Sequence, residues 1–325
     1  MDLRTRYLGM RLSHPLIVGA GPLGDDLDRV RALEDAGATM LVLRSLYEEE
    51  ITGEQMEAFL NSEQHSGSFA EAETFAPDPL IPLGPDEYLE HLRAVKSAVD
   101  IPVMASLNGV TPGGWTSYAR LLEQAGADGL ELHIYHAASD MTLSAADVER
   151  QAIDIVSEVK RSLRIPVAIK LAPLLTAFAH FAKQLEKAGA DGLVLFTRFH
   201  RVDIDVDELD VIRTLPLSDS SELPLRLRGV AALAGRVTPS LAITGGVHTG
   251  IDVIKATMAG AHATQLVSAL LRHGPAHLRV ILSEIESWME EHEWNSLDEM
   301  RGNMSLERIP DPAAYERANF RMSLR

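Results

Sequence analysis

The sequence predicts an α/β chain folded as one eight-stranded (β/α)8 barrel of the TIM-barrel kind, and three observations carry that expectation. Four segments echo one another: Ala36-Gly-Ala-Thr-Met-Leu-Val-Leu-Arg, Ala125-Gly-Ala-Asp-Gly-Leu-Glu-Leu-His, Ala188-Gly-Ala-Asp-Gly-Leu-Val-Leu-Phe and Ala259-Gly-Ala-His-Ala-Thr-Gln-Leu-Val. In each, an amphipathic run stops at a glycine and a short apolar strand begins, which is a helix-to-strand joint. Between these joints lie strands entered through a proline, at Ile101-Pro, Ile165-Pro and Thr238-Pro, where the missing N–H costs the ladder least. With His14-Pro-Leu-Ile-Val-Gly-Ala as an opening strand the count reaches eight, and regular alternation with helices implies right-handed crossovers and a parallel sheet.

In chain order the strands are expected at 16–19, 40–44, 103–107, 129–134, 167–171, 192–196, 241–244 and 263–266. A doubly wound open sheet would also explain the glycines of Gly19-Ala-Gly-Pro-Leu-Gly, but the proline and the want of an acidic residue beyond the second strand depart from the dinucleotide fingerprint. Two connections exceed what the fold requires: Tyr47 to Pro85 after the second strand, and Phe199 to Pro224 after the sixth, which holds Asp203-Ile-Asp-Val-Asp. Barrels build lids and pockets from such loops, although the aspartate cluster by itself reads as a solvated loop. The barrel is assigned to residues 1–290 and a C-terminal extension to 291–325, a short helix and then a Pro-Asp-Pro break, expected to pack on the barrel's outside or on a neighbouring subunit.

The chain has 325 residues, 46% of them hydrophobic, enough for one large core. Its formal net charge of -17 argues against nucleic acid, which requires clustered Lys and Arg. It has no cysteine, which excludes disulfides, thiolate-held iron–sulfur clusters and a cysteine base. The N-terminus lacks an apolar leader core, and no apolar run is long enough to span a bilayer. A cytoplasmic protein free of membrane is therefore expected.

Strand-closing residues of such a barrel face its C-terminal mouth, and here they are Ala20 and Gly21, Arg44 and Ser45, Asn108, His133, Tyr135 and His136, Lys170, Thr197, Thr244 to Gly246, and Val267 with Ser268. Gly245 and Gly246, then Val267 and Ser268, end the last two strands with bare amides opening helices, the arrangement that holds phosphate. Lys170 ends an otherwise apolar strand, Val167-Ala-Ile. An ammonium there must meet an anion, a cofactor or a carboxylate such as Glu131, because burying it alone is costly.

These motifs in this order resemble the dihydroorotate dehydrogenase family, specifically its soluble single-barrel class: His14-Pro-Leu-Ile-Val-Gly-Ala-Gly, Leu43-Arg-Ser, Ser106-Leu-Asn-Gly, Leu130-Glu-Leu-His-Ile, Ile165-Pro-Val-Ala-Ile-Lys-Leu-Ala-Pro, Thr244-Gly-Gly-Val and Val267-Ser-Ala-Leu. The resemblance spans about His14 to Gly274 and implies an FMN oxidoreductase of pyrimidine metabolism acting on a CH–CH bond. It implies phosphate on Gly245, Gly246, Val267 and Ser268, and the ring system against Ala20, Gly21, Ser45 and Asn108. Lys170 would lie near flavin N1/O2, where an ammonium stabilises the anion formed on reduction. Arg44, His133, Thr197 and Thr244 complete the implied flavin site.

The departures are as informative. Where the family takes a proton with Cys or Ser after the fourth strand, this chain has His136, a residue able to act as base near neutral pH or to serve only as a pocket wall. His133, Ala138 and Thr197 stand where substrate-holding asparagines are expected, and Arg44 replaces a lysine. Losing matched amides discriminates against dihydroorotate itself, so a related dihydropyrimidine-like substrate is expected. No metal is expected, and any iron–sulfur relay must come from a separate electron-transfer protein. A dimer is expected. The alternatives are a Schiff-base aldolase or lyase using Lys170 with a phosphorylated substrate, and a flavin subunit without substrate chemistry.

Overall fold

The computed structural model describes residues 1–52, 84–110, 115–134, 139–198, 203–212, 216–307 and 309–323. Its centre is a closed parallel barrel of eight strands: β3 (Leu16–Val18), β4 (Leu41–Tyr47), β5 (Val103–Asn108), β6 (Gly129–His133), β7 (Val167–Leu171), β8 (Gly192–Leu195), β11 (Ser240–Thr244) and β12 (Ala263–Leu266). Closure comes from β12 pairing with β3, Thr264 opposite Leu16 and Leu266 opposite Val18. Strand after strand is buried on both faces, β5 along its whole length, which is why these strands read as apolar runs rather than alternations.

The sequence echoes are latches at the barrel's N-terminal end. In each Ala-Gly-Ala joint the glycine takes a φ near +100°, at Gly37, Gly126, Gly189 and Gly260, the left-handed helix stop that a side chain resists. Two residues ahead of three of these joints stands a glutamate that receives the amides of the next proline-entered segment. Glu34 accepts from Asp100 and Ile101 at 2.7 and 3.1 Å, Glu123 from Arg164 and Ile165 at 2.7 and 3.0 Å, and Glu186 from Thr238 at 3.2 Å. The aspartates of the two Ala-Gly-Ala-Asp joints tie neighbouring strands: Asp128 accepts from the Val103 amide at 2.7 Å and from Lys96 at 2.6 Å, and Asp191 from the Val167 amide at 2.8 Å and from Lys160.

A hairpin not anticipated from sequence, β1 (Thr5–Tyr7) with β2 (Met10–Leu12), closes that same end. Its Tyr7, Leu8 and Leu12 join Ile17, Val42, Met104, Ala168 and Val194 in the barrel's interior core. Leu8 presses so close to Gly192 that a Cβ there would stand 2.5 Å from Leu8 Cδ2. β4 runs three residues past its expected end, through an irregularity between Val42 and Ser45, because Ser45, Leu46 and Tyr47 pair with Ser106, Leu107 and Asn108. The acidic segment after β8 contains a second hairpin, β9 (Asp203–Asp205) with β10 (Asp210–Ile212), where a plain loop was expected.

After residue 291 the chain stays on the barrel. Ser296 bridges Asp2, Leu297 and Met300 are buried, Arg301 donates to the Ala261 carbonyl, and the helix Pro312–Ser323 meets Arg228 through Glu316 at 2.8 Å. No helix among the described residues is long and apolar enough to cross a membrane.

Candidate active site

A cavity of about 670 Å³ opens at the C-terminal ends of the strands. It is lined by Ala20, Gly21, Arg44, Ser45, Asn108 and His133 from the first four strand ends and by Lys170, Thr197, Thr244, Gly245, Val267 and Ser268 from the last four. Every expected site residue among those described therefore reaches one cavity, save Gly246. That residue sits just behind it, its amide donating to Ser218 Oγ at 3.3 Å. Tyr135, His136 and Ala138 lie outside the described residues.

The floor is a buried polar chain. Lys170 Nζ is 3.0 Å from Glu131 Oε1, and Gln265 Nε2 donates to the other carboxylate oxygen. Glu131 is wholly buried and Gln265 is 1% exposed. β6, β7 and β12 deliver these three groups, and the in-register pair His133 and Lys170 places imidazole beside ammonium. The lysine thus has the carboxylate partner that sequence reasoning held open, and it still faces the cavity.

His133 is held neutral: burial, and then the Lys170 charge, push its pKa down to about 4. Asn108 Nδ2 lies 3.1 Å from His133 Nδ1. With the amide donating, the imidazole keeps its proton on Nε2. Ser45 and Ser106 hydroxyls meet at 2.7 Å, and Tyr88 donates to the Arg44 carbonyl at 2.8 Å, which fixes the β4 end.

The cradle end is built from three loops. Gly245 and Gly246 adopt φ of 79° and 78°. A Cβ on Gly246 would stand 2.6 Å from the Leu223 amide nitrogen, so the turn packs directly on the start of the helix Leu223–Leu233. Ser218 donates its amide to Ser268 Oγ at 3.1 Å, and its hydroxyl lies 3.3 Å from His248 Nε2. Asp252 gathers the ends, accepting from the His248 and Thr249 amides at 3.0 and 3.1 Å and from Ser220 Oγ at 2.7 Å.

Sequence reasoning missed Gln265, Ser218, Arg198, Asp25 and Tyr47, all on the cavity wall. Gln265 carried a signal, a polar residue inside an apolar strand. Arg198 immediately precedes the long connection after β8 and Ser218 lies within it, where no register fixes which residues turn inward.

The residues present suit a large, polar, anionic ligand such as FMN. A Cβ on Gly21 would come within 3.0 Å of Val267 Cγ1, so bare backbone is needed where these walls approach. Gln265 Oε1 and Arg44 Nε are buried without a hydrogen-bond partner among the described residues, atoms that a polar ligand satisfies. Arg44, Lys170 and Arg198 supply positive charge, with Asp25 3.9 Å from Arg44.

Comparison with known proteins agrees. Residues 2–289 match the family model for dihydroorotate dehydrogenase. The catalytic subunit of dihydroorotate dehydrogenase B (NAD(+)) from Thermoplasma acidophilum is 26% identical, the match covering 93% of this chain and 98% of that protein. A putative dihydroorotate dehydrogenase A (fumarate) from Aeropyrum pernix is 29% identical over 93% of this chain and 97% of its own. The chloroplastic dihydropyrimidine dehydrogenase (NADP(+)) of Arabidopsis thaliana is 22% identical over 93% and 76%. A closed barrel, a cavity lined by the expected strand ends and a family match over nearly the whole length lead to one conclusion: the chain belongs to the dihydroorotate dehydrogenase family of FMN-dependent oxidoreductases acting on CH–CH bonds.

Proposed function

We propose that this chain binds FMN in the cavity and oxidises or reduces a CH–CH bond of a dihydropyrimidine-like substrate other than dihydroorotate. The observation that carries the reading is the single cavity shared by the Lys170 ammonium and the Gly245 and Ser268 strand ends. FMN, when bound, supplies the hydride acceptor or donor at N5. Gly245, Gly246, Val267 and Ser268 would hold its phosphate, and Ala20, Gly21, Ser45, Asn108 and Thr197 would flank the rest. Arg44, His133 and Thr244 complete that wall.

Lys170 places a positive charge where negative charge develops, and its ion pair with Glu131 fixes the ammonium before any ligand arrives. The same pair disfavours the aldolase alternative, whose lysine must present a neutral amine. His133, kept uncharged, and Asn108 offer hydrogen bonds in place of a pair of amides. His136 is the proposed base that takes the substrate proton. The change from amide to imidazole at 133 and from amide to hydroxyl at 197 supports a substrate different from dihydroorotate. The wider reading is a cytoplasmic dimer handing electrons to a separate protein. The cysteine-free sequence supports that last step, since iron–sulfur ligands must come from elsewhere.

An absorbance spectrum of the purified protein, then anaerobic titration with dihydroorotate, dihydrouracil and related compounds, tests the reading. A flavin spectrum bleached by a dihydropyrimidine but not by dihydroorotate is expected. A colourless protein that takes up no FMN overturns it. His136→Ala should keep the spectrum and abolish bleaching; bleaching at the wild-type rate removes the base assignment.

A further inference from the structure

The turn at the cradle end is clamped from behind by a buried arginine that does not itself line the cavity. Arg226 lies on the helix Leu223–Leu233 and is 4% exposed. Its Nε donates to the Thr244 carbonyl at 2.6 Å and its Nη1 to the Glu222 carbonyl at 2.6 Å. Nη2 lies 3.3 Å from the Glu222 carboxylate, whose other oxygen takes Arg198 Nη2 at 3.0 Å. A Cβ added to Gly245 would stand 2.9 Å from Arg226 Nη2, so the guanidinium lies flat against the turn.

Geometry gives this clamp a direction. The Thr244 carbonyl and the Gly245 N–H belong to one planar trans peptide, in which the two groups point opposite ways. Holding the carbonyl toward Arg226, which lies outside the cavity wall, turns the Gly245 amide to the other side, and Thr244 and Gly245 both line the cavity. Glu222 bridges two guanidiniums, Arg226 behind that peptide and Arg198 on the cavity wall, and the trio carries one net positive charge. A lysine could carry the charge, but its single ammonium lacks the planar fork that spans two carbonyls at once.

We propose that Arg226 is a positioning residue for a phosphate monoester: it orients the Thr244–Gly245 peptide so that the amide meets the ligand's anionic end, and it sets a buried cation behind that amide. The proposal rests on reading the cavity as an FMN site. A merely structural arginine would weaken every ligand of the cavity alike, whereas one acting through the phosphate affects only phosphorylated flavin.

The test is fluorescence titration of the apoprotein with FMN and with riboflavin, for the wild type, Arg226→Lys and Arg226→Met. The wild type should prefer FMN. Arg226→Met should weaken FMN by about tenfold or more, the effect of losing one charge-assisted hydrogen bond, while riboflavin affinity stays within about twofold. Arg226→Lys should fall between, because it keeps the charge and loses the fork. If Arg226→Met fails to fold by circular dichroism, the lysine variant carries the test through the same FMN-to-riboflavin ratio. A wild type that binds neither flavin, or binds both equally, overturns the FMN reading and the proposal with it. A wild type that prefers FMN, with foldable variants that keep the full preference, overturns the positioning role alone.

Discussion

Replacing Lys170 by methionine should strand a carboxylate at the bottom of the cavity, and the structure sets the scale. At the observed 3.0 Å, and at an effective dielectric constant near 20, the Lys170–Glu131 attraction is about 5 kcal/mol before desolvation is counted. Glu131 has no exposure to water and, among the described residues, would retain the Gln265 amide as its cavity-side partner. Breaking such a pair from one side costs about 3–5 kcal/mol, because the remaining charge stays buried. Removing both charges together, as Glu131→Gln with Lys170→Met, leaves nothing to strand, and the double variant should lie within about 2 kcal/mol of the wild type. Urea unfolding of the four apoproteins at pH 8 measures the cycle. A single Lys170→Met variant that costs less than about 1 kcal/mol, or a double variant as unstable as the two singles summed, refutes the reasoning.

Three further outcomes follow from other parts of the molecule. Gly246→Ala must adopt a φ of 78° and meet the Leu223 backbone at 2.6 Å, so a loss of at least about 2 kcal/mol is expected by thermal melting; an unchanged Tm contradicts the packing described. Asp128→Ala and Asp191→Ala each free a strand-entry amide and a lysine, about 1–3 kcal/mol apiece, and should add because they share no partner. Burial depresses His14, His133 and His262 to about 4, so between about pH 6.5 and 4 the unfolded chain binds protons that the folded chain refuses. Stability should therefore fall on acidification through that window, by up to about 1.4 kcal/mol per pH unit for each histidine. Urea midpoints at pH 7, 6 and 5 check this, and His262→Asn should flatten the slope; an identical slope removes that histidine from the account.

The strands were legible because a doubly buried parallel strand needs a continuous apolar run, and the Ala-Gly-Ala and Ile-Pro signals bracket those runs. What escaped was decided by partners the local sequence does not name. Ser45 and Tyr47 look like loop residues until Ser106 and Asn108 pair with them. The first hairpin has strands of three residues, too short for alternation to register, although Leu8-Gly9, with φ of 52° and 78°, marks its turn. At the site, glycines and the strand-end lysine were readable because their chemistry is restrictive. Arg226 was not, since an arginine among leucines on a helix most often faces solvent, and only the tertiary fold turns it toward Thr244.

The glutamate and aspartate latches all fasten the end of the barrel opposite the cavity. Tight seams at the base leave the rim free to vary in composition while the wall keeps its shape. Side chains around the opening can then be exchanged without loosening the staves that hold the vessel together.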